Sequence, residues 1–262
     1  MIFLFLAHLG IGIVFTLAIV SHEAGVKFFR FNAGLAAILI AVGLGFRPAE
    51  DLGAASHTAF ISLVATEAIV VLYWATIGRA LTKIRPIILG AACAAGFVTL
   101  VLQGLATSEG KTAVDTMMVL ASFLSSAALL GGACTAMILG HWYLVIPSLE
   151  VAHLQSIAKV HIASMVIRIV VVGAAIFLAI ATWQPGHGPS FRRYIFSVAG
   201  IFFWQRVMFG LFGPAVLSYL TWETAKIRST QSATGILYVD FFTVVVGEVL
   251  AKYLLLATRV PL

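Results

Sequence analysis

Eight stretches of roughly twenty or more mostly apolar residues follow one another along this chain with short polar breaks between them, and nothing constrains its fold more. The hydrocarbon core of a bilayer is about 30 Å thick and a helix rises about 1.5 Å per residue, so each stretch is long enough to cross it. They fall at residues 2–21, 25–46, 57–78, 86–106, 114–139, 158–182, 194–220 and 233–257. Lys27 and Arg30 lie in the first turns of the second stretch, where their long stems let the charged heads reach back to the interface. The first stretch follows Met1 with no basic flank and no small-residue cleavage site, which predicts a retained helix and not a signal peptide. The breaks leave no room for an extramembrane domain. The expected fold is therefore an all-α integral membrane protein, a bundle of about eight transmembrane helices with short loops, forming a single domain over residues 1–262.

Composition narrows the function classes. With 61% of residues hydrophobic, 10% charged and a mean hydropathy of +1.08, the chain has too little polar surface to cover itself in water. That excludes a cytosolic enzyme, a disordered chain and a disulfide scaffold. Cys93 and Cys134 both sit in apolar runs, where packing is their ordinary role. The formal charge of +6 reads as basic loops facing lipid headgroups, so membrane lipid is an expected partner and nucleic acid is not. Odd-numbered connections carry Lys27, Arg30, Arg79, Lys83, Arg85, Lys159, Lys226 and Arg228, against Arg47, Lys111, Arg192, Arg193 and Arg259 on the other side. Basic residues concentrate on the cytoplasmic side, so this bias predicts a cytoplasmic (inner) membrane location with both termini outside, in the periplasm of a diderm cell.

Ionisable residues inside a span are expensive and each requires a partner or a task. Glu67 in the third span, Arg168 in the sixth, Arg206 in the seventh, and Asp240 and Glu248 in the eighth meet that description, with Lys252 one turn further on. Depth counted from the span ends predicts two interhelical pairs, Arg206 with Glu248 and Arg168 with Asp240. Such pairs serve either as structural glue or as part of a proton route. Glu67 has no cation in its own helix, only Ser62, Thr66 and Tyr73 nearby. A carboxylic acid held in hydrocarbon without a counter-ion can exchange protons, as proton-coupled quinone chemistry or a proton-driven carrier requires.

The histidines divide by depth. His8 and His57 fall toward the outer face, His22, His141, His153 and His161 toward the inner face, and His187 in a Gly/Pro loop at 184–190. An imidazole at such depth can ligate haem iron, exchange a proton with a quinone, or hydrogen-bond a neighbouring carbonyl. For bis-histidine haem, His141 with His161 is the pair nominated, with His8 and His57 as the other. Residues 140–159, GHWYLVIPSLEVAHLQSIAK, place Trp142, Tyr143 and Pro147 as an interfacial belt and predict a surface-lying segment that anchors the chain or receives a partner. Small residues crowd 90–96 (GAACAAG), 122–134 (SFLSSAALLGGAC) and 173–175, where they allow close helix packing. HExxH, CxxC, GxSxG and nucleotide-binding glycine motifs are absent, and no metal site is expected.

The order of eight spans, the run from Ser122-Phe123 to Gly131-Gly132 in the fifth, and Val246-Gly247-Glu248-Val249-Leu250-Ala251-Lys252 in the eighth together resemble the integral membrane anchor subunits of polysulfide reductase and dimethyl sulfoxide reductase. The chain departs from that pattern in being short and in carrying the GHWYL segment. The resemblance implies a subunit that binds quinone (menaquinone or ubiquinone), has no haem of its own, and exchanges electrons with an attached iron-sulfur or multihaem redox subunit. It implies a quinone among the first four helices near the outer face, where His8, His57 and Glu67 stand. The expected function is therefore a membrane anchor of a respiratory oxidoreductase that couples quinol chemistry to proton and electron transfer. Glu67 and His57 would handle protons, and His8, His57, Glu67, Arg206 and Glu248 would form the quinone region. The alternatives are a cytochrome subunit holding haem b through His141 and His161, and a proton-coupled small-solute carrier.

Overall fold

The computed structural model describes residues 1–47, 53–79, 82–146, 150–183 and 190–262, and every regular element among them is helical. In chain order these are α1 (Ile2–Leu17), α2 (Gly25–Gly45, entered through a 3-10 turn at His22–Ala24), α3 (Gly53–Thr76), α4 (Arg85–Thr107), α5 (Ala113–Val145), α6 (Val151–Ala181), α7 (Phe191–Ile195), α8 (Ile201–Val207), α9 (Gly213–Lys226) and α10 (Thr230–Thr258). Among the described residues seven helical stretches are long and apolar enough to cross a membrane, the sixth of them being the composite Val198–Lys226. The chain is a multi-pass membrane protein. Phe31, Ile38, Ile87, Phe177 and Phe242 stand exposed on the outside of the bundle, where lipid and not water is their solvent.

Three features depart from the predicted spans. The first stretch stops after the 16 residues of α1, about 24 Å by helical rise and short of the hydrocarbon thickness. Its residues from Ala7 to Leu17 are almost all enclosed by other helices.

The seventh stretch is not one helix but α8, a π-helical turn over Met208–Phe212, and α9. Pro214 explains the interruption, because its ring clashes with the carbonyl four residues back and it has no N–H to donate. That carbonyl belongs to Gly210. It is taken instead by the Arg206 guanidinium, whose Nη1 donates to it at 2.8 Å.

The predicted surface segment at 140–159 is the third correction. α5 continues to Val145 and α6 begins at Val151, so Trp142 and Tyr143 lie on one long helix and His153 to Lys159 on the next. Tyr143 closes the turn, donating its hydroxyl to the Glu150 carbonyl and accepting from the Leu154 N–H at 3.1 Å. Pro147 falls outside the described residues, as does His187.

α5 is the axis of the bundle, packed by α1, α4, α6 and α10, with α2 and α3 outside α1 and α4, and α9 outside α6 and α10. Its small residues put it there. A Cβ on Gly131 would fall on the backbone of Gly12, and one on Gly12 would fall on the carbonyl of Ala127, so α1 and α5 cross backbone to backbone. Gly210 and Gly247 make a second such crossing, between the π turn and α10, beside Arg206. Gly90 and Gly173 face open space, so the other small-residue runs do not all mark helix crossings.

Candidate functional site: a buried charge cluster beneath a cavity at the terminal end

Helices α6 and α10 cross in the same direction, and this sets the register of their polar residues. His161 stands ten residues into α6 and Asp240 ten into α10; Arg168 stands seventeen in and Glu248 eighteen. Two rungs result. His161 Nε2 meets Asp240 Oδ2 at 2.6 Å, and the Arg168 Nε donates to Glu248 Oε1 at 2.9 Å while its Nη2 donates to Oε2 at 3.1 Å. The predicted Arg206–Glu248 pair is present, with Nη2 donating at 2.8 Å. The predicted Arg168–Asp240 pair is not. α6 starts seven residues before the expected 158, which carries Arg168 two turns further along the bundle than a count from that end suggests.

The cluster around Glu248 is dense. Arg168, Arg206 and Glu248 are each 0% exposed and Lys252 is 2% exposed. Ser126 donates to Glu248 Oε2 at 2.5 Å and accepts from Lys252 Nζ at 3.0 Å. Arg168 also donates to Ser122, Ser125 and the Leu262 carbonyl, the last after Arg259 turns the chain back in the left-handed region. Two arginines thus share one carboxylate, Lys252 reaches it only through Ser126, and the remaining stabilisation comes from hydroxyl and carbonyl oxygens. The serines were read in the sequence only as small packing residues. Their spacing of three and four on the face that meets α10 is the signal that they also supply oxygens.

His8 joins this network from α1. It is fully enclosed, with Nδ1 at 3.5 Å from Ser126 Oγ and its ring edge-to-face with Phe123, over which the Lys252 ammonium also sits. Among the described residues no partner meets good hydrogen-bond geometry at its Nε2 or at either amide atom of Gln103, which is 3% exposed and interacts with the His8 ring. A cavity of about 410 Å³ opens above them at the end of the bundle that carries the termini. Leu4, Leu256, Gln103, Phe60 and Arg47 are among its walls. Leu4 and Leu256 stand four residues from His8 and Lys252 on the same helix faces, so the cavity floor lies one turn, about 5–6 Å, above the charge cluster. Gln103 was not singled out in the sequence, although it is the only amide in α4.

The remaining sequence candidates disperse. His57 is exposed beside the cavity wall residues Ser56 and Phe60. Glu67 is half-buried on the stripe of α3 that carries Phe60, but seven residues or roughly 10 Å deeper, past the enclosed Leu63. Its Oε2 has no hydrogen-bond partner among the described residues. No hydrogen bond or ring contact joins any two of His8, His57 and Glu67.

The haem pair is not assembled. His161 is held by Asp240 beside Gly132, whereas His141 is exposed, bonded through Nδ1 to Tyr238 at 2.9 Å. Gly132 and His141 are nine residues apart on α5, so the two imidazoles differ in depth by roughly 13 Å and cannot face one iron. Nor does His8, sealed in the core, face the exposed His57. At the opposite end of the bundle Glu23, Glu150 and His153 bring three ligand-type atoms within 4.8 Å of one another, but both acids are exposed and His153 already pairs with Glu23 at 2.6 Å.

The His161–Asp240 rung carries its own prediction. Asp240→Leu leaves His161 Nε2 buried without a partner, which destabilises by roughly 1–3 kcal/mol. Asp240→Asn, which keeps an oxygen there, loses less. Thermal unfolding of the two purified variants checks this, and equal midpoints contradict it.

Compared with known proteins, the chain matches no family model, no curated protein and no solved structure.

Proposed function

We propose that this chain is a quinone-interacting membrane subunit in which the cavity at the terminal end receives the ring and the buried network below it handles protons. What carries the reading is the Gln103 amide on the wall of a cavity large enough for a substituted ring, with His8 enclosed behind it and neither the amide nor His8 Nε2 brought to good hydrogen-bond geometry by the described residues. Buried polar atoms are almost always satisfied, so such exceptions point to a group that completes them. The Gln103 amide on the cavity wall offers a hydrogen bond to a ring oxygen, His8 stands behind it, and Leu4, Phe60 and Leu256 supply the apolar walls. A bound quinone supplies two-electron, two-proton redox chemistry. With a quinone bound, Gln103 would hold it and His8 Nε2 would take up or return a proton behind that amide, while Ser126 bridges His8 Nδ1 to the Glu248 carboxylate and the Lys252 ammonium, and Arg168 and Arg206 hold that carboxylate in place. In this reading the quinone contact is Gln103, with His8 behind it. His57 stands at the rim, and Glu67 belongs to a separate position along α3. An iron-sulfur or multihaem redox subunit is the partner this reading requires, to exchange the electrons of the quinone.

The test is equilibrium binding of a short-chain quinone to the purified protein in nanodiscs. Replacing His8 with Ala and Gln103 with Leu together is expected to weaken it at least tenfold, about 1.4 kcal/mol. Gln103→Leu alone conserves volume and serves as the variant that keeps the fold. Unchanged affinity in both variants would reject the site.

A second reading rests on a different observation, the excess of three buried cations over one carboxylate next to a broken helix, which also suits a proton-coupled anion carrier. Anion uptake by proteoliposomes containing this chain alone favours the carrier. Quinone binding without uptake favours the subunit.

A further inference from the structure

Between α2 and α3, remote from the charge cluster, a cavity of about 600 Å³ opens sideways through the wall of the bundle. Its lining is apolar along nearly all of its length, and Lys27 and Arg30 stand together at one end. Lys27 is exposed and Arg30 half-buried, and neither makes an ion pair among the described residues. The Arg30 guanidinium lies 5.6 Å above the Trp74 ring, which fixes its head at the mouth of the groove. Gly34 makes the groove possible, because a Cβ there would meet Trp74 Nε1 at 2.8 Å and push the indole outward. From Lys27 to Ile38 the groove follows α2 for eleven residues, about 16 Å, from the start of the span toward the membrane interior.

The geometry points to a bound anionic phospholipid: we infer that its headgroup phosphate is held by Lys27 and Arg30 and that one acyl chain lies in the groove between α2 and α3. The charges carry the choice of occupant. Two cations without acidic partners at the headgroup end of a lipid-facing apolar channel complement an anionic amphiphile and nothing zwitterionic or neutral in equal measure. A chain-length apolar groove running inward from them excludes a free phosphate as the matching ligand.

The experiment uses the full chain, purified without quinone and exchanged into nanodiscs of phosphatidylcholine containing a minor share of phosphatidylglycerol, with the lipid retained on the protein counted by native mass spectrometry. Retention of phosphatidylglycerol over phosphatidylcholine is expected in the wild type. The double variant Lys27→Gln, Arg30→Gln should lower that preference tenfold or more, with the unfolding midpoint of the protein in pure phosphatidylcholine unchanged. Val71→Trp, which fills the groove at a residue 40% exposed, should lower retention of the lipid while leaving the charges in place. Excess inorganic phosphate should not displace it. Equal retention of the two lipids, an undiminished preference in the double variant, an indifferent Val71→Trp, or displacement by phosphate would each overturn the proposal.

Discussion

Glu248→Gln is expected to abolish recovery of the folded protein, with a loss on the order of 3–5 kcal/mol or more. Among the described residues Glu248 is the one acidic side chain paired with Arg168 and Arg206, with Lys252 one turn away, all of them shut away from both water and lipid headgroups. Removing it leaves three like charges in a low-dielectric interior, where their mutual repulsion is screened by nothing but serine hydroxyls and backbone carbonyls. The asymmetry is the distinctive part. Lys252→Met removes one of the excess cations, leaves the two arginines on Glu248, and should shift stability by no more than about 1 kcal/mol in either direction. Detergent-solubilised variants followed by size-exclusion and thermal unfolding measure both. A Glu248→Gln protein that unfolds at the wild-type temperature contradicts the charge accounting. So would a Lys252→Met protein that fails to fold, because it would show the ammonium to be needed where the structure supplies a surplus.

Gly131→Val should be nearly as damaging, through sterics alone. Added bulk in a packed core ordinarily costs about 1–3 kcal/mol, occasionally more, because side chains can turn aside. Here the new atoms meet the backbone of Gly12, which has no rotamer to change, so α1 must move off α5 as a body. Movement of α1 also carries His8 away from Ser126, and quinone binding should fall with stability. Gly173→Ala is the matched control, since nothing stands within 4 Å of its position and alanine favours the helix by about 1 kcal/mol. Loss of stability in Gly131→Val with none in Gly173→Ala is the expected pattern. Equal tolerance of both would mean that α1 and α5 do not cross as described.

Much of the site could be read residue by residue, but its pairing could not. Arg168, Arg206, Asp240, Glu248 and Lys252 stand out in the sequence because each is an ion within an apolar run, and all five are indeed buried. Which carboxylate serves which guanidinium depends on where α6 begins, and the polar appearance of residues 151–157 concealed two turns of helix that extend beyond the apolar stretch. Ser126 and Gln103 escaped notice for another reason. A serine or a glutamine in a membrane helix is common and inexpensive when its own backbone satisfies it, and only the neighbours on α1 and α10 show that these two have other partners or none.

The sequence alone determined that the chain spans a membrane several times, because hydrocarbon admits only segments that satisfy their own backbone, and it determined which side chains would be costly there. The tertiary structure decided the short enclosed α1, the broken seventh span, the sharing of Glu248 by two arginines, and the cavity above His8. Those follow from contacts between helices distant in the chain, and apolar periodicity within a single helix contains no information about the depth or rotation of its neighbours.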